Sequence, residues 1–266
     1  MRIMCLNGWG GTLHAEAQAY LAREAPDVLC LQEVVHTPST SREWLEYRDG
    51  DHVLPQRANF FRDVSAALPE HVATFCPAAQ GVLWDGEEAV PSQWGLATFV
   101  HRRFPIIAQA QGFVHKGFSP DGYGEHPRSR PAHVVRLHDF ERGWPITIAH
   151  MHGLRDLNGK IDTPERLDQA HRFVALIEAV AEKGDRLVVC GDFNVEPGSR
   201  TFEVLAEMGL TDLVVGRGFS GTRTSHYKKP GRYADYMLVN GAVEARAFAV
   251  IEQPEISDHR PLLLEV

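Results

Sequence analysis

Leu187-Val188-Val189-Cys190-Gly191-Asp192-Phe193-Asn194 is an apolar, strand-like run that stops abruptly at a carboxylate and an amide. Three other runs end or begin on residues of the same kind. Ile3 to Leu6 leads into Asn7-Gly8, Val28 to Leu31 leads into Gln32-Glu33, and Ser257-Asp258-His259 stands just before Pro261-Leu262-Leu263-Leu264. A buried strand delivers its end to one rim of a sheet, and loops at such a rim are where binding and catalytic groups concentrate. Carboxylates, an asparagine and a histidine repeated at four strand ends therefore predict a polar site on one rim of a β-rich fold.

Between these ends, strands and helices are interspersed. Thr12 to Ala25 has helical spacing and is stopped by Pro26. The segment from Val35 to Ala79 is mixed, with a helical turn expected over Ser41 to Tyr47 and a helix over Arg57 to Leu68. Gly95 to Val100 reads as a strand, and Pro105 marks a bend after it. Ala132 to Phe140 and Pro145 to His150 read as a hairpin joined at Glu141-Arg142-Gly143. The clearest helix opens at Thr163-Pro164, an N-cap threonine followed by proline at the first position, and is expected to run to Lys183 with Gly184 as its stop. Thr201 to Met208 predicts one more short helix, and Tyr236 to Val239 and Leu262 to Val266 two late strands. Gly112 to Pro131 is a long polar loop containing His115, Tyr123, His126, Arg128 and Arg130, and loops of such length are usually functional. Hairpins among helices favour a sandwich of mixed sheets with helices packed outside over a doubly wound parallel sheet.

No linker-like stretch, repeat or low-complexity segment divides the 266 residues, so one domain is expected over residues 1–266. With 44% hydrophobic and 23% charged residues the composition is that of an ordinary soluble globular protein. A net charge of −8 argues against tight nonspecific binding to polyanions. Four cysteines without Cys-x-x-Cys spacing suggest reduced structural thiols. The chain enters its first strand within three residues and has no apolar run approaching the ~20 residues needed to span a bilayer. A cytoplasmic location without stable membrane association is the expectation.

Taken singly, each polar strand end has an ordinary explanation: Glu33 could be a solvated strand end, and Asp192 and Asn194 are residue types that favour turns. Their joint occurrence points to a metal-assisted phosphate-ester site. Two carboxylates ~4 Å apart repel by about 4 kcal/mol at an effective dielectric of 20, so bringing Glu33, Asp192 and Asp258 together requires a cation. Oxygen ligands select a hard ion, Mg²⁺ first and Mn²⁺ as its substitute. His150-Met151-His152 alone does not supply a zinc site.

The same residues carry a resemblance that spans nearly the whole chain. Asn7, Leu31-Gln32-Glu33-Val34, Gly95-Leu96-Ala97 through Arg103-Phe104-Pro105-Ile106, Ala149-His150, Gly191-Asp192-Phe193-Asn194, Tyr233-Ala234-Asp235-Tyr236 and Ser257-Asp258-His259-Arg260-Pro261-Leu262 occur in the order found in the endonuclease/exonuclease/phosphatase superfamily of DNase I-like proteins, which the sequence resembles. The resemblance implies an α+β fold, a four-layer αββα sandwich of two mixed β-sheets flanked by helices, and hydrolysis of a phosphate ester by an activated water. It implies Glu33 as the metal ligand, with Asn7 and Asp258 as neighbouring ligands. His259 becomes the general base oriented by Asp235, Asp192 positions the nucleophile, and Asn194 and His150 donate to phosphate oxygens. His152 lies on the same side of the strand, and motif position favours His150.

The substrate class is less constrained. Thr222 to Arg232 is a basic loop, in which Arg223, His226 and Tyr227 combine anion binding with stacking. Gln32-Glu33-Val34 departs from the Gln-Glu-Thr usual in abasic-site endonucleases and is closer to the sphingomyelinase, deadenylase and tyrosyl-DNA phosphodiesterase branches. A phosphodiesterase acting on nucleic acid or a small phosphodiester is the first expectation. A phosphomonoesterase and a catalytically silent binding module are the alternatives, and the complete residue set argues against the silent module.

Overall fold

The computed structural model describes residues 1–266. In chain order the elements are β1 (Arg2–Asn7), α1 (His14–Glu24), β2 (Val28–His36), β3 (Trp44–Asp49), β4 (His52–Arg57), α2 (Phe60–Ala67), β5 (His71–Asp85), β6 (Glu88–His101), β7 (Ile106–His115), β8 (Arg130–Asp139), β9 (Trp144–His152), α3 (Pro164–Glu178), β10 (Arg186–Asp192), α4 (Arg200–Ala206), β11 (Leu210–Asp212), α5 (Leu213–Gly216), β12 (Asp235–Asn240), β13 (Ala247–Val250) and β14 (Leu262–Glu265). The strands form an eight-stranded sheet ordered β13-β14-β1-β2-β6-β5-β3-β4 and a six-stranded sheet ordered β11-β12-β10-β9-β8-β7. Both sheets are mixed, because β1 and β2 run parallel in the first and β9 and β10 run parallel in the second.

The two sheets face each other across a shared apolar core that includes Ile3, Val28, Val100 and Leu264 from one sheet and Val134, Ile148, Val188 and Leu238 from the other. Outside the first sheet, α1 and α2 bury Tyr20, Leu21, Phe60 and Val64 against Leu6, Leu29 and Phe99. Outside the second, α3 buries Phe173 and Ile177. The result is a four-layer αββα sandwich. No helix is long and apolar enough to cross a membrane.

The strand directions decide where the polar ends go. Parallel β1 and β2 end on one rim, as do parallel β9 and β10. β12 runs antiparallel to β10 with Asp235 opposite Asp192, and β14 runs antiparallel to β1 with Leu262 opposite Cys5, so the residues just before these two strands reach the same rim.

Three local expectations are corrected. Ser41 to Tyr47 is no helical turn: β3 and β4 pair as a hairpin whose turn holds Gly50 at a φ of 58°. Asp49-Gly50 is a strong hairpin signal that outweighs weak helical spacing. For the same reason Arg57 belongs to β4 and the helix begins only at Phe60. The long helix ends at Glu178 instead of Lys183, because Asp185 captures the chain early: its carboxylate accepts from Glu182 N (3.0 Å), Arg136 Nε (2.8 Å) and Thr147 Oγ1 (2.8 Å). The start of that helix is as expected, with Thr163 accepting from Arg166 N and Pro164 following.

Phe173 is fully buried where α3 meets the sheet, its ring 6.3 Å from that of Phe193 on the loop carrying the polar residues. Phe173→Ala is expected to destabilise the protein by about 3–5 kcal/mol, measured by urea unfolding with an unchanged denaturant slope.

Candidate active site

At the rim, β2 does not end cleanly. Leu31 pairs with Ala97 but Val34 with Gly95, so one extra residue bulges out of the ladder between them. Glu33 sits in this bulge at a φ of 54°. A bulge re-aims a side chain that regular pleating would send elsewhere, and a non-glycine residue with positive φ is held there only by its surroundings. Across the rim, Gly191 has a φ of 142°, and a Cβ there would run into the Met151 carbonyl oxygen. Only glycine lets β10 approach β9 closely enough to set Asp192 beside His152.

Asn7, His152, Asp192, Asp235 and His259 are all buried. Asn7 Nδ2 donates to Glu33 Oε1 (3.1 Å) and to Asp192 Oδ2 (3.0 Å). His152 Nε2 lies 3.9 Å from Glu33 Oε1 and 3.8 Å from Asp192 Oδ2. His259 Nδ1 donates to Asp235 Oδ2 at 2.8 Å, and its Nε2 lies 3.7 Å from both Asp192 Oδ2 and Asp258 Oδ1. Arg223 Nη1 donates to Asp258 Oδ2 (2.9 Å) and to His259 Nε2, and the guanidinium stacks on Tyr227 with Cζ 4.3 Å from the ring centre. Asn194, with a φ of 54°, donates its backbone N–H to Asp192 Oδ1 (3.0 Å) and its side-chain amide to Gly153 O (3.3 Å).

Burial dominates the electrostatics. It raises the pKa of Glu33, opposed by the Asn7 hydrogen bond and reinforced by Asp192, and it pushes Asp235 up to about 6. It lowers the pKa of His259, keeping the ring neutral with Nδ1–H turned to Asp235. A neutral ring so oriented presents a lone pair at Nε2, as a general base requires.

The rim therefore gathers Asn7, Glu33, Asp192, Asn194, Asp235, Asp258, His259 and Arg223. Two expected members stand apart. His150 lies inside the sandwich with both ring nitrogens bonded, Nδ1 to Gln32 Nε2 (3.1 Å) and Nε2 to Thr98 Oγ1 (2.8 Å); Thr98 Oγ1 bonds His133 Nδ1 in turn (2.7 Å). The histidine beside the carboxylates is His152, because β9 continues two residues past the expected strand end before reaching the rim. His226 points outward to Glu255 (3.5 Å) and the Trp9 ring (5.8 Å). Asn7 turns its nitrogen to the carboxylates and braces them, while its oxygen accepts from Trp9 N (3.0 Å).

Other residues were not foreseen. Arg166 and Gln169, near the start of α3, are buried and hold the loop after His152. Gln169 Oε1 accepts from Leu154 N (2.7 Å), and Arg166 donates to the carbonyls of Ile161 and Gly159. Arg-x-x-Gln on the inner face of a helix was the available signal. Lys160 reaches Tyr233 O beside Asp192 and Asp235. Beside Leu154 opens a cavity of about 440 Å³ whose lining is mostly polar, including His115, Lys116, His126, Asp156 and Asn158.

The donor set fits a hard cation. Ligand atoms of Glu33, His152 and Asp192 lie within 4.8 Å of one another, as do those of Asp192, Asp235 and His259. Asp258 Oδ1 is a buried acceptor without a hydrogen-bond partner, the kind of orphan that a cation satisfies.

Residues 6–259 match the profile described as the Endonuclease/Exonuclease/phosphatase family. The chain belongs to this family. Members of the endonuclease/exonuclease/phosphatase family are phosphoesterases, generally dependent on a divalent metal, and they act on phosphate esters, including nucleic acid in some members. In shape the chain is similar to a mannosyl-6-phosphatase from Bacteroides thetaiotaomicron, with a TM-score of 0.68 at 15% identity over 100% of this chain and 98% of that one. It is also similar to the human Nocturnin catalytic domain with bound sulfate, with a TM-score of 0.64 at 18% identity over 99% and 93% of the two chains. A humanized D. rerio TDP2 gives a TM-score of 0.65 at 14% identity over 99% and 97%. Such identities establish the shared fold alone. No curated protein matches the sequence.

The two histidines of β9 separate by stability. His150→Ala leaves Gln32 and Thr98 without their partner and is expected to cost about 3 kcal/mol, whereas His152, whose Nδ1 has no partner to lose, costs about 1 kcal/mol. Urea unfolding of the two variants checks the order.

Proposed function

We propose that the protein is a divalent-metal-dependent phosphoesterase that cleaves its substrate with a water activated at His259. The observation that carries this reading is the Asp235–His259 pair set 3.7 Å from Asp192, with Glu33 and the orphaned Asp258 oxygen alongside. Glu33, Asp192 and Asp258 would hold Mg²⁺, with Mn²⁺ as a substitute. When bound, the ion offsets their mutual repulsion and polarises a phosphate oxygen.

The protein's own groups supply the rest. Asp192 Oδ2 and His259 Nε2 are close enough to share one water. The ring takes its proton at Nε2 while Asp235 stabilises the imidazolium that forms. Arg223 occupies Nε2 and Asp258 before substrate arrives, and an incoming phosphate draws the guanidinium onto its own oxygens, freeing the base. Tyr227 keeps that guanidinium in plane. His152 and the second amide hydrogen of Asn194 donate to the non-bridging oxygens as charge builds. Lys160 adds positive charge beside Asp192 and Asp235.

A phosphodiester, from nucleic acid or a small molecule, is the first substrate class. A phosphomonoester is the alternative class. The core shared by both sheets supports treating residues 1–266 as one domain, and four free, buried cysteines are consistent with a reducing, cytoplasmic setting.

Hydrolysis of bis-p-nitrophenyl phosphate and p-nitrophenyl phosphate, with Mg²⁺, Mn²⁺ or EDTA, tests this. Turnover is expected only with metal and to fall about 10³-fold in His259→Ala. The better of the two esters assigns the class. Full activity in EDTA, or an active His259→Ala, would contradict the mechanism, and ligand binding without any turnover would indicate the silent module.

A further inference from the structure

The loop between β1 and α1 reads Gly8-Trp9-Gly10-Gly11, one large ring among three glycines. The glycines press against neighbouring elements: a Cβ at Gly10 would run into the Gln56 side chain of β4, and one at Gly8 into the Phe60 ring of α2. Trp9 itself stands at a φ of 50°, its backbone N–H held by Asn7 Oδ1 (3.0 Å) and its carbonyl accepting from Thr12 N (3.1 Å) and Thr12 Oγ1 (2.7 Å). A bulky residue in that backbone region is an outlier, and such strain clusters where a ligand is held. Packing does not account for it, because the half-buried indole belongs to none of the apolar clusters.

The chain has five tryptophans, and the other four each carry an arginine guanidinium over the ring, as Arg186 does on Trp144 at 4.1 Å. No guanidinium or stacked ring covers Trp9. Its one ring neighbour is His226, 5.8 Å away and tilted by 51°. Glu255 fixes His226 in turn, lying 3.5 Å from its Nε2 and accepting from Ser225 N (2.8 Å). Both rings flank the carboxylate site. Trp9 bonds Asn7, whose amide holds Glu33 and Asp192, and His226 shares a loop with Arg223, which holds Asp258. A phosphate held at the carboxylates carries its ester groups out over the flanking loops. A braced indole with an uncovered face loses little freedom when a flat group lies on it, and stacking of this kind accepts any planar ring.

We propose that Trp9, braced by His226, is a specificity-determining residue on which a planar aromatic group of the substrate stacks, so that the preferred ester carries a nucleobase or an aryl ring on the group attached to phosphorus. This rests on the phosphoesterase reading above and narrows its substrate class. The indole meets the substituent and takes no part in the proton transfer at His259, so it acts on the choice among esters.

The test titrates phenylphosphonate and methylphosphonate, whose P–C bonds resist hydrolysis, by calorimetry into the full-length protein in Mg²⁺. Beside it, kcat/KM is measured for thymidine 5′-(p-nitrophenyl phosphate) and methyl p-nitrophenyl phosphate, which share a leaving group. Wild type is expected to bind phenylphosphonate about 10-fold more tightly than methylphosphonate, Trp9→Ala to lose that ratio and Trp9→Phe to keep most of it. A matching preference in kcat/KM for the thymidine ester, lost in Trp9→Ala, assigns a nucleobase, and its absence beside an intact phosphonate ratio assigns a simple aryl group. Equal phosphonate affinities in wild type, or a ratio that survives in Trp9→Ala, would overturn the proposal while turnover of the esters keeps the phosphoesterase reading. A wild type that binds neither phosphonate and turns over neither ester would overturn both. Equal weakening of both phosphonates in Trp9→Ala, with Trp9→Phe no better, would make Trp9 a brace of the loop alone and overturn the assignment. Should Trp9→Ala not fold, Trp9→Leu, which fills space without a π face, decides, and an undiminished ratio in it would overturn the proposal.

Discussion

One amide nitrogen ties the two halves of the sandwich together where it matters. Asn7 stands at the end of β1 in the eight-stranded sheet, and its Nδ2 hydrogens are divided between Glu33 of the same sheet and Asp192 of the opposite one. The backbone carbonyl of Asn7 accepts from Ser257 Oγ (2.6 Å), and that hydroxyl accepts in turn from His259 N (3.2 Å). The first strand, the bulge on the second, the central strand of the other sheet and the closing loop thus meet through one residue. Apolar packing brings the sheets together but is tolerant of small slides. This directional network fixes how their rims align.

Much of that arrangement was readable from local pattern. Apolar runs ending in Asn7, Glu33 and Asp192, and a polar triplet preceding Leu262, announce strands that share a rim once their directions are known. The cap at Thr163-Pro164 announces a helix. What pattern could not give is what depends on neighbours. The bulge at Glu33 is defined only against β6, so nothing in Gln32-Glu33-Val34 reveals its positive φ. His150 and His152 share a face of β9, and only the length of that strand relative to the sandwich separates a buried histidine from one at the mouth. Arg166 and Gln169 look solvated until the loop that they clasp is in place.

The charge distribution is the reverse of what composition suggests. The chain as a whole is acidic, with a net charge of −8, yet around its buried carboxylates it places guanidiniums that are themselves withdrawn from water. Arg130 and Arg223 are the buried guanidiniums nearest those carboxylates.

The polar pairs inside the sandwich have a further consequence. With Gln32 Nε2 donating to His150 Nδ1, the remaining ring proton of His150 must go to Thr98, and the single hydroxyl proton of Thr98 must then go to His133 Nδ1. The sequence Gln32 to His150 to Thr98 to His133 is a one-way relay of donors, and no member can reverse without all of them reversing. Burial holds the pKa of His133 down to about 4 and that of His150 well below the ordinary histidine value, so neither accepts a second proton at neutral pH. The relay crosses between the sheets three times, from β2 to β9, back to β6 and over to β8, and donates in one direction throughout.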